Sequence, residues 1–569
     1  MNLSKQPNTP PIGAEQLREL LRILQKYKAG KALTEQRIIS SESWWKMRNS
    51  EQEQNESALM RSGFVSRSGW LHNVIVSKHA DAMDAFPEPK ILPREDGDRA
   101  EAQMLSDIIP CVLEQNCFEE TYSEAMWRKM KGGTAVYKIV WDKDKLGGLG
   151  DISVECANIL NLYWEPGVTD IQKSRYFFHT ELWDKDLLQE RYPDILRGGV
   201  KGDAFFSSKF LYDDYVDTEN KVTVVEAYYH KYVDGRNTLQ YVRFVGDTVL
   251  FATENESEPI TDALGNEKPP LSVTGLYDHG KYPYVFDALF PIEGSPCGYG
   301  YVDICRNPQT EIDMLKTCFV RNARVGSIPR YFSRGDGSVN EEELLDLDRP
   351  IVHALGGIDE SALRPIEHKP LDGSYLDLLE WDVHELRETS GNTETSTGNI
   401  SSGVTAAAAI AALQEASGKG SRDSALSSYR AYGRIIELCV ELIRQFYQMP
   451  RTFRILGKHG AERFVSYTNQ GIRPAHQGVE FGEDMGMRLP TFDIRITAQT
   501  QDAYSRVAQN ELALKLFETG FFRPETADQA LMCLELMSFD GKETLMQTLT
   551  RLNERLSGRK EITHGSYSV

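Results

Sequence analysis

The hydrophobic period of the chain changes after Gly132 and Gly133, and this change constrains the fold more than any other feature. Residues 99–131, before this pair, have the apolar spacing of helices. The stretches "TAVYKIVWD" and "DISVECAN", after it, have the pattern of two strands joined by the hairpin turn "KLGGLG". Further strand patterns are "RYFFHTEL", "KVTVVEAYYHKYV", "TLQYVRFVG" and "TVLFAT". This succession of helical and strand blocks predicts an α+β fold for residues 65–295.

The amino-terminal part is predicted to be helical. Residues 14–27 place Leu17, Leu20 and Leu24 on one face of an amphipathic helix. This pattern favours packing on its own domain over docking to a neighbour. A second, very polar helix is predicted from Thr34 to Ser62.

Prolines mark the ends of two predicted elements. Residues 71–86 are predicted to be helical and to stop at "PEPKILP", because proline cannot continue a helix. Further on, "RNPQTEIDMLKTCFVRNAR" predicts a helix with Asn307 as N-cap and Pro308 at its first position. The alternative is that the preceding "YGYVDIC" is also helical and that Pro308 kinks the join.

The region after residue 325 first looks extended and then becomes helical again. Ser374 with Asp377 resembles a capping signal and predicts the start of a helix. Its apolar side chains fall on two stripes, so we expect both sides to be packed. The stripes are Tyr375, Leu379, Val383 and Leu386 on one side, and Leu378 and Trp381 on the other.

A polar loop is followed by an alanine-rich stretch. Residues 389–403 consist of Ser, Thr, Gly and Asn apart from one Glu and one Ile, and residues 405–417 are predicted to be helical. We expect Gly418 and Gly420 to interrupt this helix. Residues 421–447 are predicted to form the longest helix, apolar on two faces and therefore buried in an assembly or a large core. The last predicted elements are the strands "TFRIL", "RFVSY" and "TFDIRITA" and a helical region over 501–557.

Charge and composition exclude several classes of protein. The net charge of −20 over 569 residues argues against a surface that binds nucleic acid or an anionic membrane as a whole. It leaves room for local contact with DNA, since charge is screened over about 8 Å at physiological salt. No stretch reaches the ~18 apolar residues of a transmembrane helix. The eight cysteines form no C-x-x-C pair, which predicts reduced, mostly buried thiols in a cytosolic setting.

No catalytic or cofactor-binding motif in the sequence is complete, so we predict that the protein is not an enzyme and binds no cofactor. "ASGKGS" has Gly420 where a phosphate loop needs Ser or Thr, and it follows a helix instead of a strand. His72 and His79 could share a helix face, but a third metal ligand is missing nearby. An enzyme whose active site is spread over the fold remains the alternative from another class.

Charged residues between positions 316 and 343 allow two interpretations each. The basic residues either oppose a helix dipole at its carboxyl end or form a girdle that meets phosphates. The acidic residues form either a solvated face or a surface that binds a partner. The basic residues are Lys316, Arg321, Arg324, Arg330 and Arg334, and the acidic ones include Glu341, Glu342 and Glu343.

Several stretches together resemble the portal (head–tail connector) proteins of tailed double-stranded DNA bacteriophages. They are "SKHADAMDAFPEPKILPRE", "GLGDISVECANILNLYWEPGVTDIQKSRYFFHTEL" and, most distinctively, "SGVTAAAAIAALQEASGK" with the helix that follows it. The resemblance covers roughly residues 65 to 555. None of these stretches is a catalytic motif, so the resemblance depends on their combination and order.

The resemblance implies a ring subunit with an α+β wing, a helical stem, a small α/β clip and a helical crown. The implied parts are an N-terminal helical extension (1–64), the first part of the wing (65–300), stem helix 1 (301–324), the clip (325–371), stem helix 2 (372–389), a tunnel loop (390–403), the second part of the wing (404–499), and the crown with the C-terminal tail (500–569).

The resemblance also implies a function and partners. A homo-oligomeric ring, expected to be a dodecamer, would sit at one vertex of the virion capsid after assembly in the host cytoplasm. Double-stranded DNA would pass through it without sequence specificity, moved by the terminase large subunit. Head–tail adaptor, capsid and scaffolding proteins would bind the ring, and no membrane would be involved. Another virion adaptor protein is the alternative.

The resemblance assigns three groups of site residues. A neutral, hydroxyl-rich loop can form hydrogen bonds with phosphates without the strong, salt-dependent binding that lysines would add. Without the resemblance, residues 390–403 are better interpreted as a connector that does not contact DNA. Lys316, Arg321 and Arg324 would be basic residues of the channel. The clip would bind partners through Arg330, Arg334, Glu341, Glu342 and Glu343. The tunnel-loop residues are Asn392, Thr393, Thr395, Ser396, Thr397, Asn399, Ser401 and Ser402.

Overall fold

The chain forms two compact units, and each is described by itself. One consists of Met1–Met83 with Pro87–Thr497, the other of Asp84–Phe86 with Ala498–Val569. The computed structural model describes residues 12–47, 66–197, 199–200, 202, 219–233, 235–261, 265, 267–327, 331–333, 340, 342–343, 353, 363–366, 370–392, 419–456, 462–476, 479–480, 483–484, 487–498, 514–520, 530–531, 534, 545–546 and 548–551.

The described part of the chain mixes helices and sheets, which confirms the α+β class. The helices are α1 (Ala14–Trp45), α2 (Trp70–Asp84), α3 (Arg99–Gln115), α4 (Phe118–Gly132), α5 (Lys185–Arg191), α6 (Leu271–Thr274), α7 (Tyr301–Ser327), α8 (Ser374–Ser390) and α9 (Lys419–Phe446).

Most of the strands pair into small antiparallel sheets. The strands are β1 (Pro87–Pro93), β2 (Thr134–Asp142), β3 (Asp151–Cys156), β4 (Leu162–Trp164), β5 (Tyr176–Asp184), β6 (Lys221–Val233), β7 (Arg236–Val245), β8 (Thr248–Ala252), β9 (Ile260–Thr261), β10 (Glu267–Lys268), β11 (Tyr284–Ala288), β12 (Phe290–Pro291), β13 (Gly298–Tyr299), β14 (Tyr331–Ser333), β15 (Leu363–Pro365), β16 (Arg451–Leu456), β17 (Glu462–Tyr467), β18 (Ala475–His476), β19 (Val479–Glu480), β20 (Glu483–Asp484), β21 (Met487–Arg488) and β22 (Phe492–Ala498).

The largest sheet has five strands in the order β4–β5–β6–β7–β8 and is covered on one face by α1. Leu17, Leu20 and Leu24 of α1 are buried against this face, and Tyr27 meets the Phe178 ring edge-on at 5.9 Å. The amphipathic stripe of α1 therefore packs on its own domain, as its spacing predicts.

A three-stranded sheet, β11–β2–β3, packs against α4 and α9. Trp141 of β2 stacks on Phe446 of α9 at 4.6 Å, and Phe118 of α4 lies 5.4 Å from Tyr432. These aromatic contacts join strand and helix segments that are distant in sequence, so this core depends on long-range packing.

The predicted strands from residue 134 to 253 and from 451 to 498 are confirmed, but several helix boundaries differ. α1 is one continuous helix through residue 45, where two helices were expected, and residues 48–62 of the second lie outside the described residues. The helix expected over 99–131 is divided at Cys117, whose φ is 50°. "PEPKILP" does end a helix, and it then forms β1. The loop expected over 254–270 contains the hairpin of β9 and β10.

The helix expected to begin at Pro308 begins instead at Tyr301, so Asn307 is not its N-cap. Tyr301, Val302 and Cys305 are buried, and their packing holds the turns that precede the proline. This outweighs the loss of the one backbone hydrogen bond that Pro308 cannot donate. The alternative is therefore correct for Tyr301–Cys305, whereas Tyr299 belongs to β13, and the helix extends to Ser327.

Three expectations about the later helices are also corrected. α8 begins at Ser374, but Gly373 occupies the cap position and Ser374 is already helical. α9 runs through Gly420 without a break, whereas Gly418 and residues 405–417 lie outside the described residues. The described part of α9 has 28 residues, fewer than the 32 of α1.

The second unit contains helical residues 514–518 and a buried cluster of Ala530, Leu534 and Leu549, in agreement with the helical region expected there. Seven cysteines are described as free, of which three are buried, so the expectation of mostly buried thiols holds only in part. None of the helices that the structure describes is both long and apolar enough to span a bilayer.

Candidate site at the base of segment 393–418

The helix α8, which precedes the polar loop, ends in a hydrogen-bonded capping motif. Gly391 follows α8 with a φ of 65°, a conformation that favours glycine. The amide of Asn392 donates to the carbonyl of Arg387 at 3.0 Å, and the amide of Gly391 donates to that of Glu388 at 3.1 Å. This pair of bonds is the Schellman motif, which satisfies the last carbonyls of a helix.

Lys78 of α2 contacts the described residues on both sides of segment 393–418. Its Nζ donates to the carbonyl of Gly391 at 3.3 Å and to the hydroxyl of Ser421 at 3.1 Å. Gly391 ends the part before segment 393–418, and Ser421 lies in the first turn described after it. One buried ammonium therefore contacts both flanks of the segment.

Two neighbours of Lys78 on α2 complete this contact. The hydroxyl of Ser421 donates to Asp81 Oδ2 at 2.7 Å, and Asp81 lies 3.5 Å from the Lys78 ammonium. The hydroxyl of Ser77 donates to the amide oxygen of Asn392 at 3.2 Å. We call Ser77, Lys78, Asp81, Gly391, Asn392 and Ser421 the flank cluster.

A second buried lysine fixes α9 further along. Lys129 of α4 donates to Asp287 Oδ1 at 2.7 Å and to the hydroxyl of Ser428 at 2.7 Å. Ser428 in turn donates to Asp287 Oδ2 at 3.0 Å. Because every charged group here has an opposite charge or a hydroxyl beside it, the burial of Lys129 is compensated.

The amino-terminal end of α2 is attached to α7. The amide of Leu71 donates to Gln309 Oε1 at 2.9 Å, and Ser68 donates to Asp313 Oδ1. α2 therefore contacts α7 at one end and the flank cluster at the other.

α7 and α8 pack on each other, but α8 keeps an apolar surface uncovered in the single chain. Leu386 is fully buried near the end of α8, whereas the side of its first turns is open. Trp381 is 67% exposed, and Tyr375, Leu376 and Leu378 are exposed as well. Large exposed apolar patches of this kind mark protein interaction sites.

Comparison with protein families gives one match. Residues 81–264 and 349–561, more than half of the chain, match the family described as Phage P22-like portal protein. The chain belongs to this portal protein family. No curated protein matches it.

Family membership confirms the resemblance deduced from sequence. The portal family is structural and not enzymatic, which is consistent with the prediction of no enzyme. The α+β class is confirmed as well, and the matched residues include the flank-cluster members Asp81, Gly391, Asn392 and Ser421.

The residues predicted to form the portal channel lie in different surroundings. Lys316 is half-buried and donates to the carbonyl of Arg67 at 3.3 Å, while Arg321 and Arg324 are exposed near the end of α7. Asn392 is buried in the flank cluster. Thr393, Thr395, Ser396, Thr397, Asn399, Ser401 and Ser402 lie outside the described residues.

Few of the residues predicted for the clip are described. Glu342 is exposed, and Glu343 accepts a hydrogen bond from the amide of His353 at 2.8 Å. Arg330, Arg334 and Glu341 lie outside the described residues. β14 and β15 pair in antiparallel fashion across this region.

The histidines of α2 contact aromatic rings. His72 stacks on Trp45 at 4.2 Å, and His79 stacks on Trp127 at 3.8 Å. Burial lowers the pKa of His79, although a hydrogen bond to the Ser123 carbonyl opposes this. These contacts support structural roles for both residues.

A set of metal-ligand types does occur elsewhere, in the five-stranded sheet. It consists of His179, Glu181 and Glu226. The ammonium of Lys138 lies 3.0 Å from Glu226 and 3.3 Å from His179. A lysine therefore already supplies the positive charge that a metal ion would bring to these carboxylates.

Sequence reasoning missed the two buried lysines of the flank region. Lys78 and Lys129 look like ordinary surface residues of polar helices, and their partners on other elements are 158 to 343 positions away in sequence. The signal available was the pattern of α2, in which Lys78 lies on the same face as Leu71, Val74 and Ile75.

Proposed function

We propose that copies of this chain close into a ring at one vertex of a phage capsid and that double-stranded DNA passes through the ring during packaging and ejection. The match to the portal family over both segments carries this proposal. The lack of a complete phosphate-loop motif supports assigning ATP hydrolysis to a separate motor, the terminase large subunit.

The proposal assigns a role to each part of the chain. The α+β region 65–300 and residues 404–499 form the wing, residues 301–324 of α7 and residues 372–389 the stem, residues 325–371 the clip, residues 390–403 the tunnel loop, and residues 500–569 the crown and tail. Residues 1–64 form an extension, of which α1 packs on the wing sheet. The clip binds the motor and later the head–tail adaptor, while the wing binds capsid and scaffolding proteins.

The uncovered side of α8 supports ring formation. Trp381 and Leu378 are 67% and 48% exposed in the single chain, although the sequence places them on an apolar stripe. Burying the exposed part of these two side chains against the next subunit favours association, by less than the ~1.5–3 kcal/mol of a fully exposed side chain, because both are already partly buried. A ring repeats this gain at every subunit interface.

The first experiment tests assembly. Purified protein examined by negative-stain microscopy and analytical ultracentrifugation should form closed rings with a hole wide enough for a duplex. Trp381→Asp should shift the population to monomers, because it places a charge in the proposed interface. Leu187→Asp is the matched control, since Leu187 is 53% exposed on α5 and should leave the rings intact. A wild-type chain that stays monomeric under assembly conditions would favour an adaptor protein instead.

The second experiment tests the loop. Deletion of residues 393–402 should preserve the rings and impair packaging or retention of DNA. Normal packaging and retention of full-length genomes by the deletion variant would remove the tunnel-loop assignment and leave the ring assignment standing.

A further inference from the structure

The ammonium of Lys78 is buried, and its acceptors come from three different elements. They are the Gly391 carbonyl after α8, the Ser421 hydroxyl in α9 and the Asp81 carboxylate in α2 itself. A buried ammonium is costly unless several such partners surround it. The position of each flank is therefore coupled to the position of the other through one charged group.

We propose that Lys78 is a positioning residue that fixes the distance between the end of α8 and the start of the described part of α9. The chain departs at Asn392 and returns at Lys419, so this distance sets where segment 393–418 begins and ends. The consequence for DNA passage rests on the proposed function, but the coupling of the two flanks does not.

An ion pair within α2 does not account for the burial of Lys78. The distance to Asp81 is 3.5 Å, longer than the contacts with Ser421 and Gly391, and the Asp81 side chain is 42% exposed. Asp81 makes its short contact, 2.7 Å, with the hydroxyl of Ser421. Asp81 thus orients Ser421 toward Lys78, and both residues of α2 act on the same flank hydroxyl.

Lys129 supplies a matched comparison inside the same unit. It is also buried and also contacts α9, through Ser428 and the Ser424 carbonyl. Its remaining contact is with Asp287 of β11, and no hydrogen bond connects it to the described residues of α8. The loss of Lys129 should therefore affect α9 and β11 without affecting the end of α8.

The test is hydrogen exchange of the full-length protein, measured by mass spectrometry. In Lys78→Met, we expect peptides that cover 387–392 and 419–425 to exchange about tenfold faster or more, the factor produced by losing a hydrogen bond to a charged group. Lys129→Met should accelerate exchange in 424–428 and β11 and leave 387–392 unchanged. Faster exchange at only one flank of Lys78→Met, or uniformly over the chain, would overturn the proposal.

Ser421→Ala provides a second route if Lys78→Met does not fold. It removes the hydroxyl that accepts from Lys78 and does not replace the buried lysine by an apolar side chain. It should accelerate hydrogen exchange at residues 419–425. Where Lys78→Met does fold, the double variant should accelerate exchange at 419–425 by less than the product of the two single effects, because both changes break the Lys78–Ser421 contact, while Ser421→Ala alone also breaks the contact with Asp81. Additive effects would show that Lys78 and Ser421 act independently and would contradict the proposal.

The conservative variant Lys78→Arg should restore slow exchange at 387–392, since its guanidinium can still donate to the Gly391 carbonyl.

Packaging assays of Lys78→Met separate the positioning role of Lys78 from the proposed function of segment 393–418. Fast exchange at both flanks with normal packaging would retain the positioning role and reject a role of the segment in DNA passage. Slow exchange at both flanks would reject the positioning role, whatever the packaging result.

Discussion

At the scale of single residues, a set of buried charges surrounds Glu226 of the five-stranded sheet. Lys138 lies 3.0 Å from its carboxylate, His179 lies 3.0 Å away, and the hydroxyl of Tyr241 donates to it at 2.9 Å. Burial alone would raise the pKa of Glu226, but Lys138 and then His179 more than offset this and hold it well below its ordinary value. Burial favours a lower pKa for Lys138, but Glu226 and Glu181 together outweigh burial, so the pKa of Lys138 is raised.

We expect Lys138→Met to lower the free energy of unfolding by about 3 kcal/mol at pH 7, because it leaves a buried carboxylate short of its main partner. The wild-type contribution of Glu226 is fully present above its ordinary pKa of 4.5 and is lost as the pH falls through the lower folded value. The variant loses the part of this lowering of the Glu226 pKa that Lys138 causes, while His179 and Arg243 remain. The difference between the two proteins should therefore narrow as the pH falls below 4.5, measured by urea unfolding between pH 7 and pH 3.

Lys221→Met is the matched control for that measurement. Lys221 lies on the same strand as Glu226 and pairs with Asp184 at 2.9 Å, but the Asp184 side chain is 54% exposed. A pair of this kind contributes about 0–1 kcal/mol, so the variant should differ little from the wild type at any pH. An equal loss in both variants, or a difference for Lys138→Met that does not change with pH, would contradict the expected role of the buried pair.

At the scale of elements, hydrophobic period predicted the strands well and the helix limits less well. β6 coincides with "KVTVVEAYYHKYV", since alternation and β-branched residues define a half-buried strand. Pro308 and Gly420 were expected to limit helices, but both lie inside helices. The low helix propensity of proline and glycine predicts that a helix ends at each position. At Pro308, the tertiary packing of the preceding turn outweighs this propensity. That packing involves residues far away in sequence, so no local pattern reveals it.

Two glycines near segment 393–418 should respond to alanine in opposite ways. Gly391 has a φ of 65°, where a Cβ costs about 1–2 kcal/mol, so Gly391→Ala should destabilise the protein by that amount. Gly420 is helical and an added Cβ would meet nothing within 4 Å, so Gly420→Ala should stabilise it by about 0.5–1 kcal/mol. Chemical unfolding of both variants checks the signs. Equal signs would mean that one of the two backbone assignments is wrong.

At the scale of the whole molecule, the sequence predicted apolar packing on both sides of α8, and the single chain provides it on one side only. Leu386 is buried on one stripe, but Leu378 and Trp381 on the other stripe remain exposed. The apolar residues of a sequence show that a helix face is to be buried, but they do not show which molecule buries it. The same limit applies to the flank cluster, since the partners of Lys78 come together only through the fold.

The last prediction concerns the charge of the proposed tunnel loop. If a neutral loop contacts DNA in the ring, Ser396→Lys with Ser401→Lys should add salt-sensitive phosphate contacts. Each lysine that engages a phosphate steepens the plot of log affinity against log salt by about 0.9, so assembled rings should bind a linear duplex more tightly at low salt and lose this gain as salt rises. Fluorescence anisotropy over a salt series measures the slope, with Ser396→Ala and Ser401→Ala as the uncharged control. Lysine variants whose slope equals that of the alanine variants would place these positions away from the DNA, because a lysine within reach of a phosphate always releases counterions on binding.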